Sequence, residues 1–276
     1  MEFAGKTAIV TGASRGIGAA IATELGRRGA NVVCAARASV ANPLRLPGTV
    51  DETARAVSEA GGVGLAVPCD LTSDDDIERL MATTLDRFGR LDLLVNNAAV
   101  SFGGDLDIPM KRFDLLMRIN VRAPLVATRL ARPHLAAAPD GGRILNVGSV
   151  TATGYFPTML TYGMSKAALE HLTVTSAAVL RTDGIAVNCY RIDVQVASEG
   201  YVMNAPDADH STWADTVTAA EGALWMLSQP IGWTGRVVPL LALADHVPSI
   251  ARLGQEQFTP TGPWTIASAL GESLDL

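Results

Sequence analysis

Cysteine, histidine and aromatic side chains are all scarce in this sequence, and each shortage excludes something. The 276 residues hold three cysteines, Cys34, Cys69 and Cys189, which are odd in number and too widely spaced for a disulfide framework. Each sits in an apolar, strand-like run, so they read as buried free thiols of a reducing compartment, and a cytoplasmic protein is expected. The four histidines, at 134, 171, 210 and 246, show no paired spacing and have no cysteine cluster beside them, so no metal is assigned. No window reaches the roughly 18 apolar residues of a spanning helix. The N-terminal stretch MEFAGKTAIVTG lacks a basic region ahead of an apolar run, so no signal peptide is expected. Basic clusters with interleaved aromatics are missing and the net charge is −6, which removes nucleic acid and anionic membranes as expected partners.

What is present is aliphatic and regularly patterned. Hydrophobic residues make up 48% of the chain and charged ones 18%, the balance of a well-buried globular enzyme. With aromatics at 5%, the core must come from small and branched aliphatic side chains. Short apolar runs at 7–10, 31–36, 63–69, 91–95, 143–147 and 185–190 carry no polar face, as parallel strands covered on both sides do. Amphipathic stretches at 16–29, 74–89 and 164–184 lie between them, the last ending at Gly184, a natural helix stop. This alternation predicts a parallel sheet with right-handed crossovers and no linker dividing it. Residues 38–48 (ASVANPLRLPG) read as an irregular insertion before a helix that starts near Thr49. Asp74–Asp76 suit the positive end of a helix. From Pro239 onward, Pro, Gly and Trp264 are scattered without periodicity, as in an arm, a lid or a loose end. The expected division is therefore 1–238 as the domain and 239–276 as an extension.

Residues 7–25 (TAIVTGASRGIGAAIATEL) read as strand, glycine-rich turn and helix, with Gly12, Gly16 and Gly18 in the spacing G-x-x-x-G-x-G. Glycine lets a backbone approach a pyrophosphate, and a helix start offers free N–H groups and a positive dipole end. A site for NAD places a carboxylate at the end of the second strand. Here that strand ends in Ala36 and Arg37, and Arg15 adds a second cation within the turn. Two guanidinium groups favour a 2′-phosphate, each charged hydrogen bond being worth roughly 1.5–3 kcal/mol. NADP(H) is expected over NAD(H), with Arg37 simply ending its strand in solvent as the alternative.

In TYGMSKAALE (161–170), Tyr162 and Lys166 stand four apart on a helical run and so share a face. A phenol alone is a poor base at neutral pH. A cation one turn away stabilises its anion.

Taken together, TGASRGIG (11–18), Asp70 in CDLT, NNAA (96–99), Asn120 in MRINVRAP, Ser149 in NVGSV and Tyr162-x-x-x-Lys166 resemble the classical short-chain dehydrogenase/reductase family. The motifs occur in that family's order, from about Gly5 to Arg236. The resemblance implies a single-domain α/β fold, a Rossmann-type doubly wound and mainly parallel sheet of about seven strands with helices on both faces. It implies an oxidoreductase acting on a ketone or secondary alcohol, with Tyr162 as general acid/base and Lys166 holding the nicotinamide ribose. Ser149 would orient the substrate oxygen, and Asn120, otherwise simply a mid-helix residue, would relay protons. The implied cofactor contacts are Gly12, Ser14, Arg15, Gly16, Ile17, Gly18, Arg37, Asp70, Leu71, Asn97, Ala98, Tyr162, Lys166, Ile192 and Gln195, Asp70 meeting the adenine amino group. A homodimer or homotetramer is also implied.

The sequence departs from that family in places. Ile192-Asp193 stands where the family has Pro-Gly, which leaves open whether Asp193 is exposed or meets the substrate, and how Gln195 is held. The loops at 150–159 and 194–213 are expected to shape a hydrophobic substrate pocket, with Tyr155 and Trp213 as contacts beside Ser149 and Tyr162. Their aromatic residues would otherwise serve only to pack the loops. A non-catalytic sensor, an isomerase or dehydratase, and a 3-oxoacyl reductase are the alternative readings.

Overall fold

Every apolar run in the sequence becomes a parallel strand in the computed structural model, which describes residues 2–253. The first half of the chain runs β1 (Thr7–Thr11), α1 (Gly16–Arg27), β2 (Asn31–Ala36), α2 (Val50–Glu59), β3 (Val63–Pro68), α3 (Asp74–Phe88) and β4 (Leu93–Asn96). Next come α4 (Met110–Met117), a π-helical turn (Arg118–Arg122), α5 (Ala123–Ala136), β5 (Gly142–Ser149) and α6 (Leu160–Leu180). The chain continues with β6 (Ile185–Ile192), α7 (Glu199–Asn204), α8 (Thr216–Ser228), β7 (Val237–Pro239) and α9 (Pro248–Ala251). The seven strands make one parallel sheet in the order β3-β2-β1-β4-β5-β6-β7. Consecutive strands run outward from the middle in both directions, so the order reverses between β1 and β4.

Alternation along each strand builds two cores. Ala8 and Val10 of β1, Val32 and Cys34 of β2, and Leu93 and Val95 of β4 pack with Ile21 and Leu25 of α1 and with Ala223 and Leu227 of α8. Ile9, Val33 and Leu94 point the other way, onto Ile77 and Leu80 of α3, Ala127 and Ala131 of α5, and Ala177 of α6. Full burial of each branched aliphatic contributes roughly 1.5–3 kcal/mol, so the sheet is held from both faces. The short alanines of α5 and α8 let those helices lie close to it. Helix starts follow local chemistry: Thr49 and Glu52 form a reciprocal capping box at α2, and Ser73 caps α3 ahead of Asp74–Asp76.

Three expectations change. The helix expected from residue 164 begins at Leu160, without a side-chain cap, so Tyr162 sits inside its first turn. Asn120 lies in a π-helical turn rather than a regular helix. The hydrophobic core also runs past residue 238, because Leu240, Leu243, Val247 and Ile250 are buried in the cluster that contains α8. Residues 254–276, with Trp264 and most of the proposed arm or lid, lie outside the described residues. Among those described, no helix is long and apolar enough to cross a membrane.

Candidate active site

The carboxyl ends of β1 to β6 open on one cleft of about 690 Å³, centred on the point where the strand order reverses. Gly12, at φ +67, closes the first strand. A Cβ there would stand 2.7 Å from the Ala98 Cα, so only glycine fits against the turn after β4. Asn97 ties the same two turns together, its Nδ2 donating to the Thr11 oxygen at 2.9 Å and to the Gly12 oxygen at 3.3 Å. Helix α1 then starts at Gly16 with no side-chain cap and no acid in its first turn, in contrast to α2 and α3. Its free N–H groups and positive end face the cleft beside Ser14, Gly16, Ile17 and Gly18, and can take an anionic group of diphosphate size.

At the far end of the cleft lie Arg37, exposed at the end of β2, and Cys69, Asp70 and Leu71 after β3. Asp70 Oδ1 already accepts from the Thr72 N–H and hydroxyl, both at 2.9 Å, which fixes the carboxylate's orientation. Arg15 differs from expectation. It lines the cleft, but its Nε donates to the Pro47 oxygen at 2.7 Å and its Nη2 to those of Leu46 at 2.8 Å and Gly48 at 3.1 Å. Its guanidinium is occupied by the 38–48 insertion, so Arg37 is the cation left facing the cleft from β2.

Ser149, Tyr162 and Lys166 converge at the other end. Lys166 is only 2% exposed; its Nζ donates to the Val147 carbonyl at 2.7 Å and lies 5.7 Å from the centre of the Tyr162 ring. Ser149 ends β5, and its Oγ accepts from the Thr151 hydroxyl at 3.0 Å, leaving its own proton to donate into the cleft. Asn120 does not line the cleft. Its Nδ2 donates to the Val100 oxygen at 2.9 Å and to Ser165 Oγ at 3.0 Å, while its Oδ1 accepts the Val100 N–H at 2.9 Å. Ser165 in turn donates to the Tyr162 carbonyl at 2.7 Å. Asn120 thus braces the loop after β4 against the turn that carries Tyr162, and a π-helical turn is a common way to aim such a group.

The wall near Ser149 and Tyr162 is apolar. Val150, Phe156 and Met159 come from the 150–159 segment, Val194, Tyr201 and Met203 from the 194–203 segment, and Phe102 from the loop after β4. Phe102 was not singled out from the sequence, because a lone aromatic after NNAA carries no periodic signal. Two expected substrate contacts are absent from the wall. Tyr155 is half exposed outside it, and Trp213 is buried, its ring 4.8 Å from that of Tyr201 and 4.3 Å from that of His210. Trp213 therefore backs Tyr201 instead of meeting the cleft.

Ile192 and Gln195 line the cleft, and Asp193 turns the other way. Its Oδ1 accepts the Leu241 N–H at 3.1 Å, so Asp193 anchors the segment after β7. Burial pushes its carboxyl above the usual value, against the downward pull of the Leu241 and Leu240 N–H groups and of Arg191. Behind the end of the cleft that holds Ser149 and Lys166, Glu170 of α6 receives Arg191 of β6 in a two-point ion pair, at 2.8 and 2.7 Å. Among the described residues no group of three or more His, Cys, Asp or Glu could hold a metal ion.

A family profile described as short chain dehydrogenase matches residues 6–194. Hydroxysteroid dehydrogenase-like protein 2 of Danio rerio is 32% identical over 240 residues, covering 86% of this chain and 57% of that protein. The chain spans about half the length of the relatives of that name. Among solved structures, a Serratia marcescens short-chain dehydrogenase/reductase variant superposes with a TM-score of 0.76 at 32% identity, covering 87% of this chain and 97% of its own. A metagenomic short-chain oxidoreductase in complex with NADP gives 0.71 at 30% identity, with the same coverages. With the fold and the profile in agreement over most of its length, the chain belongs to the short-chain dehydrogenase/reductase family of oxidoreductases.

Proposed function

We propose that the protein is an NADP(H)-dependent carbonyl reductase or secondary alcohol dehydrogenase for a substrate with a hydrophobic body. One observation carries this reading: Ser149, Tyr162 and buried Lys166 meet at the apolar end of a cleft whose other end is a glycine turn and an uncapped helix. Arg37, the absence of a carboxylate after β2 and the NADP-bound relative support the phosphorylated cofactor. When bound, the nicotinamide supplies or accepts the hydride.

The protein's own residues handle the oxygen. The Ser149 hydroxyl donates to the carbonyl oxygen and orients it. The Tyr162 phenol gives that oxygen a proton in the reductive direction and takes it back in the oxidative one. Lys166 steadies the phenolate that remains; held by the Val147 carbonyl, it needs no rearrangement to do so. Asn120 positions the helix turn bearing Tyr162 through Ser165. The apolar wall excludes water from the reacting oxygen and accepts a hydrocarbon body. Because Asp193 points at Leu241, replacement of the family's glycine puts no charge among these groups, which weighs against a non-catalytic scaffold.

The relatives' name suggests that bulky alicyclic ketones belong in a test panel alongside aliphatic, aryl and 3-oxoacyl substrates. NADPH consumption should follow one of the hydrophobic ketones. Binding of NADPH without reduction of any ketone or oxidation of any alcohol would overturn the assignment. We also expect a homodimer or homotetramer, to be read by light scattering, in a cytoplasmic setting.

A further inference from the structure

We propose that Arg15 is a clamp and not a phosphate ligand: it holds the 38–48 insertion against the glycine turn as a wall of the adenosine end of the cleft. The inference rests on the dinucleotide reading above. Two observations on opposite sides of the contact carry it. From the turn, the Arg15 guanidinium donates to three successive carbonyls, those of Leu46, Pro47 and Gly48. From the insertion, Gly48 adopts φ +94 and lies so close that a Cβ would run into the Ser14 carbonyl oxygen and stand 3.1 Å from the Arg15 Cβ. The insertion is thus seated on the turn by charge-assisted hydrogen bonds and by the lack of a side chain.

Its other end is fastened as well. Val50 N–H donates to the Ala38 oxygen at 2.9 Å, Ser39 and Asn42 exchange backbone bonds at 3.2 and 3.0 Å, and Asp51 accepts the Val40 N–H at 2.8 Å. What this positions is apolar: Leu44 and Leu46 line the cleft, as Leu71 does. Two leucines and the stem of Arg37 suit the faces of a purine better than they suit a phosphate. The guanidinium that could have met a 2′-phosphate is instead neutralising the dipoles of three loop carbonyls. Discrimination between the two dinucleotides then falls to Arg37, and overall dinucleotide affinity to the clamp.

The two roles separate in a binding experiment. Titration calorimetry with NADPH and with NADH would be run on the wild type, Arg15→Ala, Gly48→Ala and Arg37→Ala. Loss of the clamp weakens both dinucleotides by a similar factor, about tenfold, in Arg15→Ala. Gly48→Ala, which forces the loop off the turn without touching a charge, follows the same pattern. Arg37→Ala weakens NADPH alone. A cofactor-free readout runs beside it: trypsin cuts after exposed Arg45 faster in Arg15→Ala than in the wild type, by about tenfold, because the released loop samples open states more often. Weakening of NADPH alone by Arg15→Ala would overturn the proposal and restore Arg15 as a phosphate ligand. Unchanged tryptic cleavage would overturn it too. A wild type that binds neither dinucleotide would instead fail the functional reading on which the clamp depends, and the clamp with it.

Discussion

The ammonium of Lys166 stands 5.7 Å from the centre of the Tyr162 ring and is fixed there by the Val147 carbonyl of β5, 2.7 Å away. The sheet as well as the helix therefore sets where the charge sits. Lys166→Met keeps most of the stem and deletes the cation. It is expected to lower kcat by about 10²–10⁴, the usual worth of a proton-transfer device. Lys166→Arg should not restore activity, because a planar fork cannot take the place of a compact ammonium in so tightly packed a setting. Steady-state kinetics at saturating NADPH would show either result.

The Glu170–Arg191 pair joins α6 to β6 with side chains only 11% and 20% exposed. Removing one partner strands the other. Glu170→Leu or Arg191→Met alone should therefore destabilise the fold by about 3 kcal/mol, whereas the two together should recover most of that loss. Urea melts of the four species of the cycle test this. A loss in the double variant equal to the sum of the two single losses would show that the pair contributes nothing of its own.

Asp193 offers a pH signature. Burial raises its carboxyl above 3.8, so the folded chain holds that proton more tightly than the unfolded one. Wild-type stability from this group is then lost as pH climbs through the unfolded and then the folded value, and the loss persists at neutrality. An amide in its place keeps the acceptor for Leu241 without the charge. Asp193→Asn should melt about 2 °C above the wild type at pH 7, and the gap should close near pH 3, where the wild-type carboxyl is also neutral. A wild type more stable than the variant at pH 7 would contradict this.

The thiols predict the alkaline side. Burial pushes Cys34, Cys69 and Cys189 from 9.0 up to about 12. The unfolded chain then holds fewer protons than the folded one between those values, so stability falls as pH rises, by about 1.4 kcal/mol per pH unit for each thiol. The native protein should ignore a thiol reagent at pH 8 and react at all three cysteines in urea. Reaction in the native state would contradict the burial.

The strands were legible because their signal is local. NVVCAA coincides with β2, and each buried run needed only its own residues to be read. The motifs that gather in the cleft were legible as well, since glycine spacing and a four-residue Tyr–Lys offset are also short-range. Arg15 was not: its acceptors lie 31 to 33 residues away, on a loop whose path no periodicity describes. Asn120 could be marked but not placed, because the π-helical turn that aims it follows from packing against Val100 and Ser165. Trp213 looked like a pocket residue by composition, yet the rings of Tyr201 and His210 enclose it. The segment after β7 read as loose for a similar reason. Its Leu240, Val247 and Ile250 have no period, yet they fill a gap beside α8.

We propose that the Tyr162 hydroxyl moves the proton and adds little to the affinity for the cofactor it touches. The most direct test compares NADPH binding with ketone turnover in Tyr162→Phe, which keeps the ring and removes the hydroxyl. Binding should stay within about twofold of the wild type while turnover falls by about 10³ or more. A Tyr162→Phe protein that still reduces the ketone at the wild-type rate would contradict the account.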